Sequence, residues 1–245
     1  GSGNLSRSPK NRVGWRRRLA IETSGRALSA ALAEDGEVIA SLGVDEGKNH
    51  SLTLLPKLQR LLQEQQLTLD QMDAFAVTIG PGSFTGLRIG LATVKAWGQA
   101  LEKPLVAIST LDAAAASATT CGYAAPVLDA RRNEVYTALY CDGQRLGPDR
   151  AMAPAQLAEE LTQLSAPVTF SGDGVDPYRT LFAEALGANF QLPADGNTLF
   201  FAAAAARLAC AKYAAGEISD VAALVPVYLR LSEAEEKRLE ALKHA

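Results

Sequence analysis

A chain of 245 residues, 48% hydrophobic and 21% charged, has the composition of a globular protein with a well-buried core and not of a disordered segment. A formal net charge of −3 argues against an autonomous grip on nucleic acid, where a basic face supplies most of the non-specific affinity. The three cysteines (Cys121, Cys141 and Cys210) form no CxxC pair, which fits a reducing cytoplasm, and no apolar run approaches the roughly 20 residues of a membrane span.

Residues 1–17 are polar and basic, lack an apolar signal core, and read as a disordered arm or an expression remnant. The fold is expected to begin at Arg18, with a buried strand through Thr23 that turns at Ser24-Gly25. A second apolar run spans Ala27 to Ala33, and a third strand spans Glu37 to Val44 after an Asp35-Gly36 hairpin turn, giving an antiparallel meander. The period then becomes helical: Leu54, Leu55, Leu58, Leu61 and Leu62 form a stripe between Ser51 and Gln65. Asp73 to Ile79 is a strand feeding Gly80-Pro-Gly-Ser-Phe-Thr-Gly86, and a second helix runs on to about Leu101. Leu105 to Ile108 is a strand and Leu111 to Ala118 an alanine-rich helix.

A second strand set starts near residue 123. Ala125–Asp129 and Glu134–Tyr140 flank a turn at Ala130-Arg-Arg-Asn133. Helices are expected at Pro154–Leu164, Tyr178–Leu186 and Thr198–Ala215, strands at Val168–Ser171 and Leu224–Leu229, and a charged tail at 232–245. The pattern is α/β in two lobes, 18–122 and 123–231, each a mixed sheet flanked by helices.

The glycine loop before the second helix lacks the Gly-Lys-Ser/Thr of a Walker A motif, and its GxGxxxG spacing is not that of a dinucleotide fingerprint. It either cradles a phosphate at a helix start or lets the helix pack closely; Gly86 and Gly90, four apart, clear one face for the second purpose. Leu87, Ile89, Leu91, Val94 and Trp97 make the same helix apolar on more than one side, so it is either enclosed or covers a partner. Glu22-Thr23-Ser24 is a hairpin turn or, with Gly172 in Ser171-Gly-Asp-Gly174, part of a nucleotide site of the kind that actin-like ATPases and small-molecule kinases carry. With only His50 and His244 available, the chain offers no set of metal ligands. The cluster Asp129-Ala-Arg-Arg-Asn-Glu134 either binds an anion or closes on itself as a salt-bridged turn.

Leu19-Ala-Ile-Glu-Thr-Ser24, His50-Ser51 with Leu54-Leu55-Pro56, Gly80-Pro-Gly-Ser-Phe-Thr-Gly-Leu-Arg-Ile-Gly90 and Asp129-Ala-Arg-Arg resemble the bacterial TsaB (YeaZ) family from about Arg18 to Arg230. The resemblance implies an actin-like (ASKHA, RNase H-like) fold. It implies a non-catalytic dimerisation subunit in tRNA N6-threonylcarbamoyladenosine synthesis that binds a TsaD-like catalytic paralogue, with a TsaE-like ATPase joining and tRNA held through the complex. No cofactor is implied for the isolated subunit; ATP or ADP would belong to the assembly. Without its partner, the family self-associates through its first two helices. Carried over, that interface is Leu54, Leu55, Leu58 and Leu62 with Arg88, Leu91, Lys95 and Trp97. The paralogue's HxxxH metal histidines align with Thr110 and Ala114, neither of which replaces an imidazole. Glu22 departs from the Asp that many members carry.

Overall fold

The computed structural model describes residues 17–45, 50–119 and 121–230. The basic arm through residue 16 and the charged tail therefore lie outside the described residues. The first half of the chain builds β1 (Arg17–Glu22), β2 (Leu28–Glu34), β3 (Glu37–Val44), α1 (His50–Glu64), β4 (Ala74–Thr78), α2 (Phe84–Ala100), β5 (Leu105–Ile108) and α3 (Thr110–Ala118). The strands order as β3-β2-β1-β4-β5, with β1, β4 and β5 parallel and the β1–β2–β3 meander antiparallel. Asp35 and Gly36 both take positive φ, 52° and 95°, as a two-residue hairpin turn requires.

The second half builds β6 (Tyr123–Asp129), β7 (Val135–Thr137), β8 (Tyr140–Cys141), β9 (Gln144–Arg145), β10 (Arg150–Met152), α4 (Pro154–Thr162), β11 (Val168–Ser171), α5 (Val175–Leu186), β12 (Phe190–Gln191) and α6 (Ala202–Ala214). Its sheet is ordered β10-β7-β6-β11-β12, with β8 and β9 off the main path. Two mixed sheets with flanking helices form the actin-like α/β fold.

Both faces of the central strands are covered, which is why β1, β2, β4, β6 and β11 read as nearly continuous apolar runs, while the edge strand β3 alternates between exposed and half-buried residues. Leu54, Leu58, Leu61, Leu62, Leu91 and Val94 pack on one face of the first sheet against Leu19, Ile21, Phe75 and Val77. The opposite face carries alanines: Ala20, Ala31 and Ala76 lie in one buried cluster with Ala205 and Ala209 of α6, and α3, with Ala113 and Ala114, packs between α6 and the second sheet. Small side chains let helix and sheet backbones approach closely there. Leu128, Tyr136 and Tyr140 of the second sheet complete this middle layer, and α4 and α5 cover that sheet's far face through Leu157, Leu161, Phe182 and Leu186. The chain thus crosses back, because α6 comes from the second half yet packs on the first sheet.

Four expected elements differ. The strand expected at Glu134–Tyr140 is two, β7 and β8, and α5 begins at Val175 and not at Tyr178. α6 starts at Ala202 and not at Thr198, because the Asn197 side chain accepts from the Leu199 and Phe200 amides at 3.2 and 2.9 Å and holds residues 197–200 in a turn. Leu224–Leu229 is no strand; it is an extended strap, with Val227 N–H donating to Ile79 O at 2.7 Å, and Pro226 has no amide to continue a ladder.

Candidate functional site

The strap and the first two helices make one continuous surface. Of the stripe on α1, Leu54, Leu58 and Leu62 are buried in their own lobe, as is Leu91 on α2. This corrects the expectation that these four present free apolar area: an amphipathic period marks an apolar face without saying whether a sheet or a partner covers it. Trp97 is half-buried, its ring 5.4 Å from that of Phe75. What remains outward on α1 is Leu55, 54% exposed, and Leu52, 75% exposed. A shallow groove lined by Leu55, Leu58, Gln59, Leu62, Leu69 and Trp97 runs beside them, so Leu58 and Leu62, though largely buried, form its floor.

Arg88 and Lys95 meet the strap. The Arg88 guanidinium donates to the Tyr228 hydroxyl at 3.1 Å, and the Tyr228 ring stacks on Phe84 with centroids 3.9 Å apart. The Lys95 ammonium donates to the carbonyls of Leu224 and Ala222 at 2.7 and 3.3 Å. Val225, Pro226 and Tyr228 thereby form one wall of a second groove whose other wall is Arg88, Leu91, Ala92 and Lys95. Sequence reasoning missed the strap residues and Leu52; Tyr228, a lone aromatic in a segment without periodicity, gave no signal.

The start of α2 is fixed against β1. Ser83 caps the helix, its hydroxyl accepting from Gly86 N–H at 3.2 Å, while the Thr23 hydroxyl donates to Gly86 O at 2.7 Å. A Cβ on Gly86 would lie 1.9 Å from Thr23 O, and one on Gly90 would lie 2.4 Å from Thr23 Oγ1. The two glycines therefore let helix and strand end touch backbone to backbone. Thr23 is committed to this contact.

Glu22 and Ser24 turn to the cleft between the sheets. Glu22 is buried; its Oε1 accepts from Ser24 N–H at 2.6 Å and from the Ser24 hydroxyl at 2.5 Å. Burial pushes the Glu22 carboxyl up to about 7 against the opposing pull of the Ser24 bonds, and the nearby Asp173 charge adds to the rise. Across the cleft, Gly172 takes φ of +113°, and its Cβ would lie 2.0 Å from Val127 O, so the β11–α5 turn lies directly on β6. Asp173, next in sequence, accepts from Arg26 N–H and Asp129 N–H, both at 2.9 Å. In the Asp129 cluster, Asp129 pairs with Arg131 at 2.9 Å within the turn, while Glu134 pairs at 2.5 Å with Arg230 from the end of the strap. The turn between them holds Arg131, Arg132 and Asn133 at positive φ.

Among the described residues, no three His, Cys, Asp or Glu side chains gather as a metal site, and no helix is long and apolar enough to cross a membrane. Thr110 and Ala114 are fully buried beside the second sheet.

The chain matches the family model described as TsaD, tRNA N6-adenosine threonylcarbamoyltransferase, over residues 45–240. The tRNA threonylcarbamoyladenosine biosynthesis protein TsaB of Bacillus subtilis is 34% identical over 230 residues, covering 92% of this chain and 99% of that protein. The Escherichia coli protein of the same name is 33% identical over 228 residues, covering 89% of this chain and 96% of that one. The solved structure of YeaZ from Pseudomonas aeruginosa superposes with a TM-score of 0.72 at 29% identity, over 87% of this chain and all of the other. Close agreement in length, fold and sequence across these proteins places the chain in the TsaB (YeaZ) family.

Proposed function

We propose that this chain is a non-catalytic scaffold subunit of the machinery that forms N6-threonylcarbamoyladenosine at position 37 of tRNA. It docks a TsaD-like catalytic subunit on the outer surface of α1 and α2. A TsaE-like ATPase joins that assembly, tRNA and any ATP or ADP are held by the complex, and the same surface supports self-association when the partner is missing. The setting is the cytoplasm.

The observation that carries this reading is the pair of exposed leucines, Leu52 and Leu55, beside two shallow grooves on the α2 flank. Large apolar side chains in contiguous exposed positions favour protein contact. Their position narrows the expected interface to Leu52, Leu55, Ala92 and the rims formed by Trp97 and the strap. The non-catalytic part is supported by Thr110 and Ala114, which stand in the core where the resemblance puts the paralogue's metal histidines.

Two measurements test it. Size-exclusion chromatography of the chain mixed with a TsaD-like protein is expected to give a complex that Leu55→Glu with Ala92→Glu abolishes while the monomer's melting temperature is kept. Binding by the folded double variant at wild-type strength would refute the surface. Reconstituted tRNA modification is expected to fail when the chain is omitted; undiminished product without it would refute the role.

A further inference from the structure

Cys121 and Cys141 meet at the passage between the two halves of the chain. α3 ends at Ala118 and β6 begins at Tyr123, so the residues around Cys121 carry the chain from the first sheet to the second. Tyr123 pairs with Cys141 across β6 and β8. One step further out, Asp142 N–H donates to Gly122 O at 2.9 Å, and Gly122 N–H donates to the Asp142 carboxylate at 2.7 Å. Cys121 stands just outside this last rung and Cys141 just inside it, on opposite chains, a diagonal cross-strand placement. Cys121 is exposed and Cys141 half-buried, and both are free thiols. The Cys141 S–H donates to the Asp142 carboxylate at 3.7 Å. Burial pushes the Cys141 thiol up, and Asp142 and then Cys121 add to the rise, an effect that needs the two thiols to be close.

We propose that Cys121 and Cys141 are a modification site: a dithiol that a low-molecular-weight disulfide of the glutathione class converts to an internal disulfide, stapling the passage between the sheets. Diagonal partners sit about 7–8 Å apart at Cα and a disulfide spans roughly 4.4–6.8 Å, so closure takes a shift of about 1 Å. Cys121 is built to make that shift. It bonds only within its own loop, its N–H donating to the Thr119 hydroxyl at 3.2 Å and its O accepting from the same hydroxyl at 2.8 Å, and Gly122 beside it pivots at φ of +76°. Access gives Cys121 the first step, while Cys141 stays protonated. The Cys121 thiolate attacks one sulfur of the oxidant, whose S–S bond breaks and releases one glutathione thiolate. Cys141 then loses its proton and attacks the Cys121 sulfur, expelling the second glutathione as thiolate. The two protons given up are taken by the two departing thiolates: two protein thiols are oxidised and one glutathione disulfide is reduced. A bridge that draws its backbone out of place is easily reduced again, so the pair is reversible and suits a reducing compartment.

The test treats the full chain with glutathione disulfide, alkylates the remaining thiols, and reads intact mass and peptides by mass spectrometry. Wild type is expected to show Cys121 joined to Cys141 with Cys210, held apart on α6, still a thiol; excess reduced glutathione should restore all three. Cys141→Ser should stop at a single glutathione adduct on Cys121. Cys121→Ser should gain an adduct at Cys141 about tenfold more slowly. Oxidation should also slow exchange of the Gly122 and Asp142 amides several-fold. Unlinked adducts on both cysteines, a bridge only between two molecules, or the same scatter over three cysteines in the folded chain as in urea would overturn the pair. Equal rates at Cys141 in Cys121→Ser would overturn the order of attack, and unchanged amide exchange would overturn the staple.

Discussion

Replacing Glu22 by Gln should make the protein more stable at alkaline pH and leave it unchanged at acidic pH. The carboxyl is enclosed at the end of β1, and its folded-state value is raised from 4.5 to about 7. A carboxyl whose value rises on folding binds its proton more tightly in the native state. The stability it contributes is full below pH 4.5 and is lost as pH climbs through about 7. The displacement is worth about 3 kcal/mol between those limits. Glutamine is the neutral isostere: its Oε1 can keep both bonds from Ser24, and its amide can donate toward the Ser29 hydroxyl, which lies 3.5 Å from Glu22 Oε2. Urea unfolding of both proteins at half-unit steps from pH 3.5 to 8.5 should show coincident stabilities at the acid end, below the unfolded value of 4.5. At pH 8.5 the variant should lead by about 2–3 kcal/mol. A variant less stable than wild type by a constant amount across the range would refute the reasoning, because it would mean that Glu22 is ionised in the fold throughout.

Three further outcomes follow from packing. Gly86→Ala forces a methyl to within 1.9 Å of Thr23 O and should cost about 3 kcal/mol or more in chemical unfolding, whereas Gly147→Ala, whose added carbon meets nothing within 4 Å, should stay within about 0.5 kcal/mol of wild type. Leu58→Ala should lose about 2–5 kcal/mol of stability as a core truncation, which separates it from Leu55→Glu, where stability should be nearly kept. Tyr228→Ala removes the ring stacked on Phe84 and the acceptor for Arg88, and should release the strap. Limited proteolysis between residues 218 and 230 should speed up several-fold, with a stability loss of about 1 kcal/mol.

The element order of the first half was readable from hydrophobic period and turn chemistry, whereas the short strands β9, β10 and β12 of the second half were not. Strands such as Leu105–Ile108 and Val168–Ser171 fall where their apolar runs put them, because runs bounded by turn residues and helices leave little choice of register. Helix starts were less legible. Asn197 delays α6 by spending its side chain on the next amides, a local competition that composition alone does not reveal. The site was legible by element and not by residue. The leucine stripe of α1 was evident, yet the same 3.6 period describes a face turned to a sheet and a face turned to a partner, so only Leu52 and Leu55 could be assigned outward once the sheet was in place. Asp173 was invisible for another reason: its partners are backbone amides from positions 147 and 44 residues away, and backbone donors leave no trace in a sequence.

The return of α6 to the first sheet governs how the protein can be made. When the ribosome has completed the first sheet, the alanine-lined side of β1, β2 and β4 still has no lid, since Ala205 and Ala209 have yet to be synthesised. A nascent chain stopped before residue 202 would hold a half-covered sheet with an adhesive flank. The N-terminal half is thus expected to expose apolar area until the last helix seals it, and splitting the gene at the apparent lobe boundary should yield two fragments that each leave part of this buried layer open.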